Sequence, residues 1–99
     1  MLVTNQTVKS GDIVSFKLVN GDEIVGKLKE VQEGRYSVER PFAAMVTQQG
    51  LALVPLLVTG TEMAVVELSA NHVMMVFDTA KEIADHYIKQ TTGIQLATV

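Results

Sequence analysis

Apolar and polar side chains alternate over two stretches near the start of the chain. Residues 12–18 place Val14, Phe16 and Leu18 on one face of an extended strand, with polar side chains between them on the other face. Residues 23–31 repeat this period of two. The pattern predicts two half-buried β-strands.

The turn between these strands determines which residues face each other. Its Asn-Gly dipeptide at residues 20–21 is typical of a β-hairpin. A two-residue loop would put an acidic side chain on the apolar face, so we expect a longer loop that pairs Leu18 with Ile24 and Phe16 with Gly26. In that register the glycine leaves room for the aromatic ring and lets the sheet bend.

Further along, prolines interrupt the extended segments. Alternation over residues 35–40 predicts a third strand, and apolar segments on both sides of a Gln-Gln-Gly turn predict an extra hairpin within residues 42–61. Pro41 and Pro55 lack a backbone N–H, so each indicates a sheet edge or a β-bulge.

Two short and almost wholly apolar runs follow, at residues 63–68 and 73–77. They predict strands buried on both faces, with Met63, Met74 and Met75 filling the core, although an adaptable binding surface is the other interpretation of these methionines. Neither run carries the Lys or Pro that commonly protects an exposed sheet edge. Self-association is the simplest way to cover such strands.

The period then changes to that of a helix. Residues 79–91 predict an amphipathic helix, with Thr79 and Glu82 matching a capping box and Gly93 matching a C-terminal stop. Its apolar side is formed by Ala80, Ile83, Ala84, Tyr87 and Ile88. We expect this side to pack on the chain's own sheet rather than on a membrane.

Composition narrows the class of protein. With 99 residues, 47% hydrophobic and 19% charged, the chain suits one folded domain over residues 1–99. It has no Cys, no leader-like start and no apolar run long enough to span a membrane, so we expect a cytoplasmic protein without a membrane partner. The net charge of −3 disfavours non-specific polyanion binding, although most of the cations lie in the first 40 residues, where they could form a basic surface.

Catalytic and metal sites find no support in the sequence. His72 and His86 are not at a metal-ligand spacing, and neither a nucleophile elbow nor a phosphate-binding glycine motif is present. We therefore expect a protein that is not an enzyme and has no cofactor and no bound metal.

Residues 14–28, VSFKLVNGDEIVGKL, resemble the first sequence motif of the Sm-like family. That motif has alternating apolar residues, then Leu-x-Asn/Asp-Gly, then apolar-x-Gly-x-apolar. Residues 68–76 resemble the second motif in pattern only. The resemblance extends over about residues 10–77, and the chain is also similar to short Sm-like proteins encoded by bacteriophages.

The chain departs from the family pattern at its RNA-binding positions. Uridine-binding members carry Asp and Asn near the loop after the second strand, where this chain has Gln32, Arg35 and Tyr36. They carry Arg-Gly in the second motif, where this chain has Ser69 and Ala70. The family's helix is usually N-terminal, whereas the helix predicted here is C-terminal.

The resemblance implies an all-β fold. It would be a small, bent, five-stranded antiparallel barrel over about residues 10–77, with an inserted hairpin at residues 42–61. The C-terminal helix at about residues 79–91 and a short tail at residues 92–99 would complete the chain.

The resemblance also implies a homo-oligomeric ring of about five to seven subunits. In the family the fourth strand of one subunit pairs with the fifth strand of the next. Here these strands correspond to the two apolar runs at residues 63–68 and 73–77, which lack a protective Lys or Pro. The expected interface residues are Met63, Val65, Val66, Leu68, Val73, Met75 and Phe77.

In the family, the loops after the second and fourth strands line the pore and bind single-stranded RNA. By position, Arg35 and Tyr36 would supply a cation and a stacking ring, and Asn71 and His72 would supply polar contacts. Tyr36 could equally face the core, and residues 71–72 could equally be an ordinary polar turn.

The resemblance therefore implies an RNA-binding, RNA-chaperone-type function in the cytoplasm, that of a bacterial host if the chain is phage-encoded. The alternative is a structural or protein-interaction ring that binds no RNA. The net charge and the missing signature residues favour this alternative.

Overall fold

A computed structural model describes residues 8–61 and 64–92, and strands account for most of them. The strands are β1 (Ile13–Leu18), β2 (Glu23–Gln32), β3 (Arg35–Thr47), β4 (Gly50–Pro55), β5 (Val65–Ser69) and β6 (Val73–Asp78), and the helix is α1 (Lys81–Thr92). A single 3-10 turn, Ala70–His72, joins β5 to β6. The predicted all-β fold with one C-terminal helix is confirmed.

All strand pairs are antiparallel and belong to one sheet, in the order β4-β3-β2-β1-β6. β5 also pairs with β3. Because β2 lies along one side of β3, the other two partners of β3 must lie end to end on its opposite side. β5 faces residues 35–39 of β3, and β4 faces residues 42–47.

The first hairpin has a different register from the predicted one. Phe16 faces Ile24 rather than Gly26. The shift is two residues, so every side chain keeps its predicted face. The predicted role of Gly26 beside the aromatic ring is wrong. A Cβ there would collide with the Val38 side chain and lie 3.2 Å from the Glu39 carbonyl oxygen, so the glycine permits a close approach of β3.

β3 continues through Pro41, whereas the sequence predicted a strand ending at residue 40. At Pro41, β3 contains one more residue than the facing stretch of β2, which is the β-bulge that this proline indicated. Arg40 in the bulge has a φ of 49°, a conformation uncommon outside glycine. The extra residue changes which positions face inward, from Val38 before the bulge to Ala43 after it.

Two hydrophobic clusters lie on opposite faces of the sheet. The inner cluster consists of Val14, Phe16, Ile24, Leu28 and Val38, all fully buried. Half-buried side chains from β5 and β6 pack against it, so the sheet curls around this cluster. The outer cluster consists of Val25, Leu53 and Tyr87, and it joins α1 to the sheet.

α1 packs on the chain's own sheet, as expected, but begins two residues later than predicted. Its Tyr87 hydroxyl lies 2.9 Å and 3.0 Å from the carbonyl oxygens of Glu39 and Arg40, to which it donates. The Thr79 hydroxyl, predicted to cap the helix, lies 2.7 Å from the Ser15 hydroxyl instead. This contact fixes the connection between β6 and the helix.

β5 and β6 are buried on one face only, so the prediction of burial on both faces is wrong for a single chain. Their inward residues pack against the inner cluster, whereas outward residues such as Val65 are exposed. Met74 and Met75 expose 57% and 52% of their surface and do not fill the core. Met63 lies outside the described residues.

Candidate functional site

Three loops meet at one end of the sheet. The backbone N–H of Val19, in the β1–β2 turn, donates to the His72 carbonyl over 2.9 Å. The N–H of Ala70 donates over the same distance to the carbonyl of Gly34, in the β2–β3 turn. The 3-10 turn between β5 and β6 is therefore bonded to both hairpin turns. We call residues 19–22, 33–36 and 69–72 the loop face.

Arg35 begins β3 and lies directly opposite Ser69, so the sheet brings it beside the 3-10 turn that carries Asn71. Its Nε lies 3.0 Å from Gln32 Oε1 and 3.6 Å from Glu67 Oε1. About half of the side chain is exposed, 53% in relative area. The guanidinium is thus accessible to a ligand but is already held by an amide and a carboxylate.

Tyr36 lies one residue further along β3 and turns toward the interior. Its ring meets Phe16 edge to face, with 5.4 Å between the ring centroids. The side chain is half-buried against the inner cluster, which agrees with the core-facing interpretation left open by the sequence. A ligand on the loop face could contact only the part of the ring that remains exposed.

Asn71 and His72 occupy the middle and the end of the 3-10 turn. Both side chains are exposed. The Asn71 N–H donates to Ser69 Oγ over 3.2 Å, which fixes the start of the turn. A carboxamide and an imidazole are therefore held on a short, anchored turn beside Arg35, where the four predicted RNA-binding residues come together at one end of the sheet.

The loop face has little positive charge. Asp22 and Glu33 belong to it, and Glu67 lies beside it. Three of the cations in the first 40 residues face acids. Lys17 lies 3.4 Å from Glu23, Lys29 lies 3.5 Å from Glu39, and Arg35 faces Glu67. Phosphate neutralisation can therefore contribute little here, so base stacking and hydrogen bonds would have to supply affinity for a nucleic acid.

The predicted interface residues divide between the two faces of their strands. Val66, Leu68 and Val73 pack against the chain's own inner cluster. The outward residues Val65, Met75 and Phe77 are 46%, 52% and 38% exposed. Among residues 8–61 and 64–92, β5 pairs only with β3 and β6 only with β1, so each strand leaves one edge open.

β4 is also an edge strand, but its edge is protected. Its last residue, Pro55, has no N–H to offer to another strand. The Gln90 side chain of α1 donates to the Leu53 carbonyl over 3.4 Å. The helix also covers the Leu53 side chain, which belongs to the outer cluster. β5 and β6 contain no Pro, Lys or Arg. Natural proteins commonly protect edges that must not pair, so β4 differs from β5 and β6 in this respect.

A cavity of about 300 Å³ lies where β4 and β5 meet end to end. Its lining includes Arg40, Phe42, Pro55, Leu57, Thr61, Ala64 and Gln90. Arg40 Nη1 donates to the Thr91 carbonyl at the end of α1 over 3.2 Å. Sequence reasoning missed this cavity because it depends on the bulge and on the position of the helix, and the two prolines were the only signal of it.

Comparison with known proteins identified no relative: no family model matches the chain, and no curated protein matches it. The described residues contain no helix long and apolar enough to cross a membrane. The same residues contain no group of three or more His, Cys, Asp or Glu side chains that could hold a metal ion.

Proposed function

We propose that this chain is an Sm-like ring protein whose subunits join through the open edges of β5 and β6 and whose loop face binds single-stranded RNA. The main support for this proposal is the difference between the edge strands of the sheet. β4 is protected by Pro55 and by Gln90, whereas β5 and β6 each have one edge that no described strand pairs with, and both present exposed apolar side chains.

Ring closure follows from the use of two different strands. If β5 of one subunit pairs with β6 of the next, each contact joins unlike surfaces, and such head-to-tail contacts close into a ring when the rotation permits. The outward side chains of Val65, Met75 and Phe77 would be covered in the assembly. Pairing of this kind also removes both open edges.

RNA binding is supported by the residues gathered on the loop face. Arg35 offers a guanidinium, Asn71 and His72 offer hydrogen-bonding groups, and Tyr36 offers part of its ring. Single-stranded RNA is recognised through such stacking and hydrogen bonds to unpaired bases. A ring repeats the set once per subunit, and several modest contacts made by one strand of RNA add up to a useful affinity.

The assembly is tested with two methionines of nearly equal exposure. Met75 on β6 is 52% exposed, and Met45 on the β3–β4 hairpin is 51% exposed. Light scattering at low micromolar concentration should give the mass of a ring for the wild-type chain. Met75→Lys should shift the mass toward the monomer, because it places a charge in the contact, whereas Met45→Lys should leave the ring intact. A monomeric wild-type chain would refute the proposal.

RNA binding is tested by fluorescence anisotropy with U-rich and A-rich single strands. His72→Ala and Arg35→Ala should each weaken binding by about tenfold, the size expected for losing one stacking or charged contact at each subunit. The matched controls are His86→Ala and Lys89→Ala, both exposed on α1. Equal affinities for the variants and their controls would contradict an RNA site at the loop face.

The second candidate function is a protein-interaction ring without RNA. The observation that favours it is the acidic surroundings of Arg35, which faces Glu67 at 3.6 Å on a loop face that also carries Asp22 and Glu33. Such a surface repels phosphates. A stable ring that shows no anisotropy change with either RNA would favour this candidate.

A further inference from the structure

We propose that the tip of the β3–β4 hairpin, residues 45–52, inserts into the surface of a lipid bilayer with zwitterionic headgroups. Insertion of this tip requires neither the ring nor RNA. The sequence predicted no membrane partner because no apolar run is long enough to span a bilayer. A hairpin that enters only the surface layer needs no such run.

The tip extends beyond the rest of the sheet. The pairing of β2 with β3 reaches Ala44, which faces Glu23 at the start of β2. Beyond Ala44, three further residue pairs join β3 to β4. At about 3.3 Å per residue, these pairs carry the hairpin about 10 Å past the end of β2. This length is close to the depth of about 5–10 Å at which amphipathic helices lie in the boundary between headgroups and acyl chains.

Apolar side chains are exposed on both faces of the tip. Val46 and Leu51 face each other across the two strands, on the face that carries the outer cluster, and Val46 is 87% exposed. Met45 is exposed on the opposite face. A flat protein surface could cover only one of these faces, whereas lipid surrounds an inserted hairpin on both.

The hairpin also lacks charge. Residues 41–61 contain no Asp, Glu, Lys, Arg or His. The polar turn at the tip pairs some of its own groups, because the Thr47 hydroxyl donates to the Gly50 carbonyl over 2.8 Å and accepts from the Gln49 N–H over 3.1 Å. Removing a charge from water costs far more than removing a polar group that is already paired. The segment is therefore suited to a less polar phase than water.

Charged side chains at the base of the tip limit the depth of insertion. Glu23 faces Ala44, and Asp22 precedes it in the β1–β2 turn, and both acids are exposed. A carboxylate is costly inside a bilayer, so insertion should stop where these side chains reach the headgroups. Shallow insertion also keeps the outer edge of β4 in the hydrated headgroup layer, since an open sheet edge is not tolerated in the hydrocarbon.

The charge of the chain favours one class of lipid. The net charge is −3, and the acids at the base of the tip lie next to the proposed contact. A leaflet rich in anionic lipid attracts basic segments and would repel these acids. Phosphatidylcholine, which has no net charge, is therefore the lipid that fits this surface.

A single introduced Trp reports insertion directly, since the wild-type chain contains none. With phosphatidylcholine vesicles, the emission of Val46→Trp should shift to shorter wavelength, become protected from iodide and be quenched by brominated acyl chains. Val31→Trp is the control, because Val31 is exposed on β2 outside the tip, and its emission should not change. Emission of Val46→Trp that stays the same with vesicles would overturn the proposal.

Flotation with phosphatidylcholine vesicles measures binding without a fluorescent side chain. Val46→Asp should weaken binding by about tenfold or more, because it carries a carboxylate into the bilayer surface. Val31→Asp makes the same change outside the tip and should leave binding unchanged. Equal binding of the two variants, or preferential binding of the wild-type chain to phosphatidylserine vesicles that is lost at high salt, would mean that the hairpin does not make the contact.

A second copy of the chain is the other occupant that could cover the tip. In that case the emission of Val46→Trp would shift with protein concentration in the absence of vesicles, and Val46→Asp would lower the mass measured by light scattering. Either result would overturn insertion into lipid. A monomeric wild-type chain whose hairpin enters vesicles would refute the ring and leave this inference standing.

Discussion

The inner and outer clusters occupy opposite faces of one sheet but are built differently. The inner cluster has five fully buried side chains, all from β1, β2 and β3, and all aliphatic or aromatic. The outer cluster has three buried side chains, and Tyr87 brings a hydroxyl that donates to the backbone at the bulge. One cluster holds the sheet in its curled form, whereas the other attaches the helix to it.

The two clusters also differ in how the sequence determines them. The inner cluster follows from the alternation of apolar residues along single strands, because a period of two puts them on one face. The outer cluster requires the bulge, which turns Phe42 toward the helix, and α1 itself. We therefore expect substitutions in the inner cluster to cost more stability than substitutions in the outer one.

The largest expected effect is in the inner cluster. Phe16→Ala should lower the free energy of unfolding by about 3–5 kcal/mol, since it removes a fully buried ring and leaves a cavity that the sheet cannot close. Leu53→Ala in the outer cluster should cost about 2 kcal/mol, the low end for such a truncation, because a small cluster beside solvent can relax. Urea unfolding followed by circular dichroism measures both. A larger loss for Leu53→Ala would reverse the comparison.

The second prediction concerns the glycine that lets β3 approach. Gly26→Ala should cost about 2 kcal/mol, because the new methyl group would meet the stiff Val38 side chain and the Glu39 carbonyl oxygen. Gly60→Ala is the control, since its methyl group would meet only the flexible Leu57 side chain. If the two variants unfolded at the same urea concentration, the close approach of β3 would not depend on the missing side chain at Gly26.

Much of the sheet was predictable from the sequence because its signals are local. The strands β1 and β2, the inward faces of Phe16 and Ile24, and the helix all follow from periodicity. The turn register was wrong by two residues because alternation is unchanged by such a shift, so only the turn geometry can determine it. The sequence also predicted that the third strand ends at residue 40. The bulge at Pro41 interrupts the alternation of apolar and polar residues, although β3 itself continues.

For the candidate site, the sequence predicted which residues lie near one another but not which other side chains surround them. Arg35 and Asn71 do come together, because β5 pairs with the start of β3. The acid beside Arg35 could not be foreseen, since Glu67 faces it only through that pairing. The sequence predicted Met74 and Met75 in the core because a run of apolar residues looks the same whether its second face is buried or exposed.

The smallest expected effect tests the hydroxyl that distinguishes the outer cluster. Burial raises the pKa of Tyr87 from 10.0 to about 12, with smaller opposing contributions from a backbone hydrogen bond and from Arg40. The folded chain thus keeps the phenol protonated at a pH where the unfolded chain has released that proton. This difference in protonation contributes to the free energy of unfolding. The contribution is fully present below pH 10 and is lost as the pH rises from about 10 toward 12, with about 1 kcal/mol lost by pH 11.

Comparison with Tyr87→Phe separates this loss of stability from the effects of all other groups that titrate at high pH. The variant should be less stable than the wild-type chain by about 1 kcal/mol at pH 8, since the two carbonyls at the bulge lose their shared donor. Because phenylalanine cannot ionise, this difference should shrink as the pH approaches 11. Urea midpoints of both chains at pH 8 and pH 11 measure it. A difference that stayed constant between pH 8 and pH 11 would mean that the outer cluster does not hold the Tyr87 hydroxyl protonated at high pH.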